Sequence, residues 1–367
     1  MSESAAKISI VRAWLKANKL EGAVFATRAN AAWLSGGADT HVVSQSGDAF
    51  AAMVVTPRQA YLLANTIEMP RITAEEPVGG FTAKSFPWIQ PLSEVVSKIA
   101  GDKKKSWVSD HPAATGLKDL PADFAQVCRA QLSEPEMRRY KALGRDCALV
   151  IETVARQLNL GDSEHQAEAD LGRHLLARGI QPHVLLVAFD QRILKYRHPT
   201  PGQNHLRKLG MLVVCGQRHG LIASLTRLFH FGPLPKELAA KHEAVCRVEA
   251  ALWEATVPGV AYGKVLAKGL EQYTKEGFPK EWELHHQGGP TGYAGRDYCV
   301  VPDEKRPVLD RQAVAWNPSI TGTKTEDTFL LEGGKRTVVT ACSPVWPTVT
   351  VATPKGEKLV RPAILVR

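Results

Sequence analysis

The sequence predicts a mixed α/β protein of two domains. Helical and strand-like patterns alternate along most of the 367 residues, which favours sheets covered by helices. Between residues 111 and 124 this alternation breaks into Pro, Ala, Gly and Asp residues, as is typical of a linker. Hydrophobic residues make up 44% and charged residues 23%, which is ordinary for a globular protein with a large core. We therefore predict domains at residues 1–132 and 133–367.

The first domain begins with a predicted helix followed by short strands. Apolar residues recur at helical spacing over residues 8–15. Residues 23–26 form an apolar run of strand length, and residues 30–36 predict a helix or turn closed by a pair of glycines. Residues 51–56 and 59–65 predict a hairpin because a Pro-containing turn separates two β-prone runs.

Two capping boxes mark helix starts in the second domain. Ser133 with Glu136 opens a long predicted helix, and Ser163 with Gln166 opens the next one. The later patterns predict strands at residues 183–190, 211–216 and 219–224, helices at 236–256 and 263–277, and further strands from 313 onward.

Composition excludes several classes of protein. The net charge is +9, but the densest basic run, residues 103–105, stands in a predicted turn and no nucleic-acid motif occurs. No apolar run reaches membrane-spanning length and residues 1–7 do not resemble a secretory signal, so the cytoplasm is expected. The six cysteines form no C-x-x-C pair, which favours reduced thiols. We predict no nucleic-acid and no membrane partner.

Short motifs follow one another in a recognisable order in the second domain. They are His198-Pro199, Leu209-Gly210, Ser224-Leu225-Thr226-Arg227, Val257-Pro258-Gly259, His286-Gln287-Gly288-Gly289, Asn317-Pro318 and Thr325-Glu326-Asp327. Together with the segment at residues 30–36, this order resembles the pita-bread family of creatinase, prolidase, Xaa-Pro aminopeptidase and methionine aminopeptidase. The resemblance implies a pita-bread fold for residues 133–367 and a creatinase/prolidase-like α/β domain for residues 1–132. It also implies a homodimer, because the family's N-terminal domains often close the partner's site.

The resemblance places the metal-ligand positions of this family on five residues, which are Cys215, Ser224, His286, Asn317 and Glu326. Metal-dependent members use two Asp, one His and two Glu there to hold two divalent ions. Here only His286 and Glu326 are good ligands, since a hard divalent ion prefers carboxylates to Ser and Asn. We predict no metal and no cofactor. A single divalent ion such as zinc or manganese, held by Cys215, His286 and Glu326, is the alternative.

Creatinase, which needs no metal, is the most informative member of the resemblance. The resemblance to creatinase implies that His198 is the general acid-base and that Glu326 is an orienting carboxylate. His286 would be a polarising hydrogen-bond donor. We expect Asn317, Ser224, Cys215, Arg296 and Tyr293 to contact the substrate. His285 should point away from the site, because adjacent side chains of an extended segment face opposite sides.

The predicted function is a creatinase-like, metal-independent hydrolase that cleaves a C–N bond of a small amino-acid-like or guanidino molecule. Creatine itself is not expected, because Thr226 stands where creatinase has a Glu and residues 39–46 contain no Arg. Three alternatives stay open: a metal-dependent Xaa-Pro peptidase with an altered centre, an inactive pita-bread binding protein, and a thiol hydrolase with Cys215 as nucleophile.

Overall fold

The computed structural model describes residues 2–367. The chain forms two compact units. One extends to Ala130 and includes His219–Leu221, and the other comprises Gln131–Arg218 and Ile222–Arg367.

The N-terminal unit is built around a six-stranded mixed sheet with the order β4-β3-β2-β1-β5-β6. Its strands are β1 (Gly22–Thr27), β2 (Asp48–Val55), β3 (Ala60–Asn65), β4 (Thr82–Phe86), β5 (Trp107–Ser109) and β6 (Lys118–Asp119). Its helices are α1 (Glu3–Ala17), α2 (Arg28–Ser35), α3 (Met69–Glu75), α4 (Leu92–Ala100) and α5 (Pro112–Thr115). The predicted hairpin is present, because β2 and β3 pair antiparallel.

The first helix forms for the reason that the sequence suggests. Ser2 caps α1 by accepting a hydrogen bond from the backbone N–H of Ala5, and the buried face carries Val11, Trp14 and Leu15. The Trp14 ring meets Phe124 edge to face at 5.0 Å between centroids. Phe124 also contacts Phe25 of β1, with ring centroids 5.2 Å apart, so helix and sheet share one apolar core.

Five helices shape the second unit, and the predicted capping boxes open two of them. The helices are α6 (Glu134–Gln157), α7 (Glu164–Leu176), α8 (Gln191–Lys195), α9 (Lys236–Ala255) and α10 (Tyr262–Lys275). The Glu136 carboxylate accepts a hydrogen bond of 2.7 Å from the Ser133 N–H at the start of α6. At α7, Ser163 and Gln166 bond each other reciprocally.

The remaining strands form two four-stranded sheets and two small ribbons, with the orders β10-β11-β14-β15, β18-β9-β8-β7, β12-β13 and β16-β17. They are β7 (Gln181–Phe189), β8 (Leu209–Arg218), β9 (Leu221–His230), β10 (Gly288–Thr291), β11 (Ala313–Trp316), β12 (Ser319–Ile320), β13 (Thr323–Lys324), β14 (Asp327–Glu332), β15 (Lys335–Val338), β16 (Thr348–Ala352), β17 (Lys358–Pro362) and β18 (Leu365–Val366). Antiparallel pairing of β11 with both β10 and β14 brings distant motifs side by side.

A buried ionic network fixes the start of β14 against its neighbours. The Asp327 carboxylate binds Arg227 of β9 at 3.1 Å and Arg361 of β17 at 2.6 Å. Arg361 also binds Glu249 of α9 with two hydrogen bonds. Because a buried carboxylate needs such partners, the network holds the residue beside Asp327, Glu326, at a defined place.

Some elements were not predicted. Helices α3 and α4 and strand β4 lie within residues 69–100, a stretch with few fully buried side chains and therefore a weak apolar pattern. Residues 111–124, predicted as a linker, contain α5 and β6. Within residues 2–367, no helix has the length and apolarity that a membrane span requires.

Two helical glycines should respond oppositely to alanine. A Cβ on Gly144 of α6 would stand 2.3 Å from the carbonyl oxygen of Val339, whereas one on Gly172 of α7 would meet nothing within 4 Å. We expect Gly144→Ala to lower the free energy of unfolding by about 1–3 kcal/mol through overpacking. Gly172→Ala should raise it by about 0.5–1 kcal/mol, since alanine is the better helix former. Urea denaturation measures both, and a stabilised Gly144→Ala protein would contradict the packing described.

Candidate functional site

The predicted site residues converge on one cavity of about 290 Å³ in the second unit. His198, Cys215, His286, Arg296, Asn317 and Glu326 all line it. They come from the loop after α8, from β8, from the segments on either side of β10, and from the ends of β11 and β13. The antiparallel strands thus place at one point residues that are up to 128 positions apart (326 − 198).

Glu326 is the central anion of this cavity. Its side chain is buried, and its oxygens contact Arg296 Nη2 at 2.9 Å, Lys324 Nζ at 2.7 Å and Thr226 Oγ1 at 2.8 Å. Burial alone would raise the pKa of this carboxyl, but the charges of Lys324 and Arg296 together lower it to about 2. Glu326 is therefore ionised at neutral pH and has little tendency to accept a proton.

Arg296 extends this contact to the neighbouring strands. Its Nη1 lies 3.2 Å from Ser224 Oγ, and Ser224 Oγ in turn donates to Cys215 Sγ at 3.2 Å. Burial, followed by the nearby charge of Glu326, raises the pKa of the Cys215 thiol. Cys215 is thus a protonated thiol at neutral pH and lacks the properties of an activated nucleophile.

Lys324 was not predicted from the sequence. It is only 4% exposed, and a buried lysine needs an acidic partner. A signal was available, since Lys324 stands two residues before Glu326 and alternate residues of an extended segment point to the same side. Thr226 was likewise not predicted as a partner of Glu326. The same signal was available, because Thr226 stands two residues after Ser224 in β9 and therefore points to the same side of the strand.

Three histidines lie together at the cavity. His285 Nε2 is 3.2 Å from His198 Nε2, and the rings of His198 and His286 are 5.5 Å apart between centroids. Burial, followed by the charge of Lys324, lowers the pKa of His198 and lowers that of His285 to about 2. Burial and then Arg296 lower the pKa of His286 to about 4. All three rings are therefore neutral at pH 7.

His285 and His286 face different environments, as expected for adjacent residues. His286 lines the cavity, whereas His285 is buried and does not line it. The Nδ1 atom of His285 lies 3.2 Å from Ser319 Oγ. His285 nevertheless contacts a residue of the cavity, because its Nε2 lies 3.2 Å from Nε2 of His198. The expectation that His285 points away from the site is therefore only partly correct.

Two predicted substrate contacts do not reach the cavity. Tyr293 is buried, and its hydroxyl donates to Glu136 Oε1 at 2.7 Å, so it anchors the start of α6 rather than lining the site. Ser224 is fully buried behind Cys215 and acts on the cavity through Arg296. Asn317 lines the cavity, with Nδ2 3.4 Å from His285 Nε2.

The donor set does not fit two divalent ions. Glu326 is the single carboxylate among the five ligand positions, and both of its oxygens already contact cations. Ser224 accepts a hydrogen bond from Arg296, and Asn317 and the protonated Cys215 carry no charge. Two divalent ions would therefore meet two side-chain cations and one anion, which is strongly unfavourable.

Protonation of His285 should destabilise the protein in acid. Its pKa falls from 6.5 to about 2 on folding, so the unfolded chain binds the proton more tightly and stability is lost as pH drops below 6.5. Between pH 7.5 and 5.0 this amounts to about 2 kcal/mol at 1.36 kcal/mol per pH unit. We expect His285→Asn to lose about 2 kcal/mol less than the original protein over this range in urea denaturation. Equal pH dependence of the two proteins would refute a buried neutral His285.

Comparisons with known proteins agree with this architecture. Residues 7–139 match the family described as Creatinase/Prolidase N-terminal domain. No curated protein matches the sequence. Among solved structures, the prolidase from Pyrococcus horikoshii OT3 is similar with a TM-score of 0.76 and 15% identity, over 92% of this chain and 99% of that one.

Two further structures widen the comparison. The X-Pro aminopeptidase from Thermotoga maritima MSB8 has a TM-score of 0.76 and 14% identity, and each chain is covered completely. The N-terminal domain of FACT complex subunit SPT16 from Cicer arietinum (chickpea) has a TM-score of 0.69 and 12% identity, over 93% of this chain and 97% of that one. The predicted fold is thereby confirmed: residues 7–139 match the creatinase/prolidase N-terminal domain, and the whole chain shares the fold of these prolidase and aminopeptidase structures.

Proposed function

We propose that this protein hydrolyses a C–N bond of a small, carboxylate-bearing, amino-acid-like molecule without a dinuclear metal centre. One observation carries the proposal: Arg296 and Lys324 both bind Glu326 within the cavity that neutral His198 and His286 line. The fold, which prolidases and Xaa-Pro aminopeptidases share, supports a peptidase-type hydrolase.

The charge of the cavity favours an anionic substrate over a guanidino compound. Arg296 and Lys324 supply two positive charges and Glu326 supplies one negative charge, which leaves one positive charge in excess. A guanidinium group would be repelled there, whereas a carboxylate would be attracted. We therefore narrow the expected substrate from amino-acid-like or guanidino compounds to small carboxylates.

His198 is the group best suited to move a proton. It is exposed to the cavity and neutral at pH 7, so its free nitrogen can take a proton from water and return it to the leaving nitrogen. Glu326 is too acidic for that role and instead holds Arg296 and Lys324 in place. These two cations, with His286, would stabilise negative charge on the carbonyl oxygen as the C–N bond breaks.

In the proposed reaction Cys215 is not the nucleophile. A nucleophilic cysteine needs a lowered pKa, and burial raises that of Cys215. Its sulfur accepts a hydrogen bond from Ser224 and its side chain lines the cavity. We therefore assign it to the wall that contacts the substrate. A homodimer in the cytoplasm stays the expected setting.

A binding protein without turnover is the second candidate. One structural relative is named as a domain of a complex subunit rather than as an enzyme. The loss of most metal ligands, at Cys215, Ser224 and Asn317, is also compatible with a pita-bread domain that binds without cleaving. Saturable binding of a carboxylate with no hydrolysis would favour this candidate.

Hydrolysis should not depend on metal. Protein purified and dialysed against a chelator would be assayed with Xaa-Pro dipeptides and N-acyl amino acids, and its metal content measured. We expect the cleavage rate with and without chelator to agree, because the side-chain cations of Arg296 and Lys324 replace the ions electrostatically.

His198→Ala should lower kcat by about 100-fold or more. His174→Ala, which changes a partly exposed histidine on α7 outside the cavity, is the matched control and should retain kcat. Activity restored only by added manganese, cobalt or zinc would favour the metal-dependent peptidase instead.

The pH at which kcat/KM begins to fall in acid should depend on the positive charge of Lys324, because this charge contributes to the low pKa of His198. The Lys324 charge helps to lower the pKa of His198 below 6.5, so the base stays unprotonated and kcat/KM stays constant to below pH 6.5. Lys324→Met removes this charge and should move the acid limb of kcat/KM toward higher pH. Lys324→Arg keeps the charge and should leave the limb near its original position. An unchanged limb in Lys324→Met would exclude His198 as the titrating base.

A further inference from the structure

We propose that His198, His285 and His286 form a binding site for a single zinc ion, which shares only His286 with the five dinuclear ligand positions of the fold. They are the one group of three histidine, cysteine or acidic residues within residues 2–367 whose ligand atoms lie close enough to hold an ion. Neutral imidazole is a common zinc ligand, and three of them with one open position is a known arrangement.

One distance within the cluster already suits a tetrahedral ion. The ligand atoms of all three residues lie within 4.8 Å of one another, and Nε2 of His198 is 3.2 Å from Nε2 of His285. Two nitrogens bound to one zinc at about 2.0–2.1 Å are about 3.3 Å apart in a tetrahedron. His198 and His285 therefore already have the spacing of two ligands.

Hydrogen bonds orient His285 as a ligand. Asn317 Nδ2 can only donate, and it lies 3.4 Å from His285 Nε2, which identifies that nitrogen as the acceptor. The proton of His285 then resides on Nδ1, which donates to Ser319 Oγ at 3.2 Å. Such a bond to the far nitrogen is what orients metal-binding histidines. The lone pair of Nε2 therefore faces both Asn317 Nδ2 and His198 Nε2, and a bound ion would replace the Asn317 contact.

The cluster combines one fixed ligand with two accessible ones. His285 is buried and held by Ser319, whereas His198 and His286 line the cavity and can adjust their rings to an incoming ion. The cavity supplies the entry path and space for a water in the fourth position. Binding would displace the 3.4 Å contact of Asn317 Nδ2 with His285 Nε2, whereas the contact of Nδ1 with Ser319 can remain.

Other ligand sets in the cavity are less suitable. The set Cys215, His286 and Glu326 would have to displace Ser224 from the sulfur and Arg296 and Lys324 from the carboxylate. The three histidines have no cation bonded to them among the contacts of the described residues. Zinc is thus expected at the histidines.

Zinc at this site should inhibit hydrolysis. An ion bound to Nε2 of His198 leaves the other ring nitrogen protonated, so the ring can no longer accept a proton from water. This consequence rests on the function proposed above, whereas the binding itself does not. The protein would then combine metal-independent chemistry with inhibition by zinc at the same histidine.

Calorimetric titration of the full, chelator-dialysed chain with zinc sulfate tests the binding without reference to activity. We expect one equivalent to bind, and His198→Asn and His285→Asn each to weaken the affinity at least about tenfold. His183→Asn removes another histidine that lines the cavity but lies outside the cluster, so it should bind zinc like the original protein. Since His198 is exposed, its variant is expected to fold even where His285→Asn does not.

Cobalt as a spectroscopic probe distinguishes the ligand sets. A three-histidine site gives cobalt absorption without a thiolate charge-transfer band, and Cys215→Ala should leave the spectrum unchanged. A thiolate band that Cys215→Ala abolishes would overturn the proposal, as would the absence of zinc binding or binding that both histidine variants retain. If zinc binds as predicted but no hydrolysis is found, the site stands and the proposed function fails.

Discussion

The buried carboxylate of Glu326 imposes the main constraint on this site. An ionised group that is removed from water needs opposite charge and hydrogen bonds close by, or it takes up a proton. The resemblance to the pita-bread peptidases implies that the corresponding positions of metal-dependent members hold divalent ions. Here Arg296, Lys324 and Thr226 supply the positive charge and hydrogen bonds instead, and both oxygens of the carboxylate are occupied. The surrounding histidines remain neutral beside these cations.

Under the proposed function, side-chain charge takes the place of metal charge in this cavity, and this changes the chemistry that the cavity can support. A divalent ion acidifies its bound water, whereas arginine and lysine can only stabilise negative charge electrostatically. The proposed reaction then needs a neutral group to transfer the proton, and we propose His198, which lines the cavity, for this role. The loss of ligands at Cys215, Ser224 and Asn317 and the two buried cations are therefore parts of one arrangement rather than independent changes.

The ionic network behind the site explains how the arrangement is held. Asp327 binds Arg227 and Arg361, which join β9 and β17 to the start of β14. Because Asp327 follows Glu326 directly, this network fixes the backbone of Glu326 while the side chains of Arg296 and Lys324 neutralise it. The position of these carboxylates is strongly constrained, because moving one of them would leave several buried cations without an ion-pair partner.

The sequence by itself determined the helices with strong apolar faces and caps, such as α1, α6 and α7, because local periodicity and capping are encoded within a few residues. Ordered motifs likewise indicated His198, His286 and Glu326, and the structure brings these three residues to one cavity. Only the tertiary structure decided which charges meet. The contacts of Glu326 with Arg296 and Lys324, the contact of His285 with His198, and the anchoring role of Tyr293 depend on strand pairing between distant segments. Such pairing places side chains together that no local pattern relates.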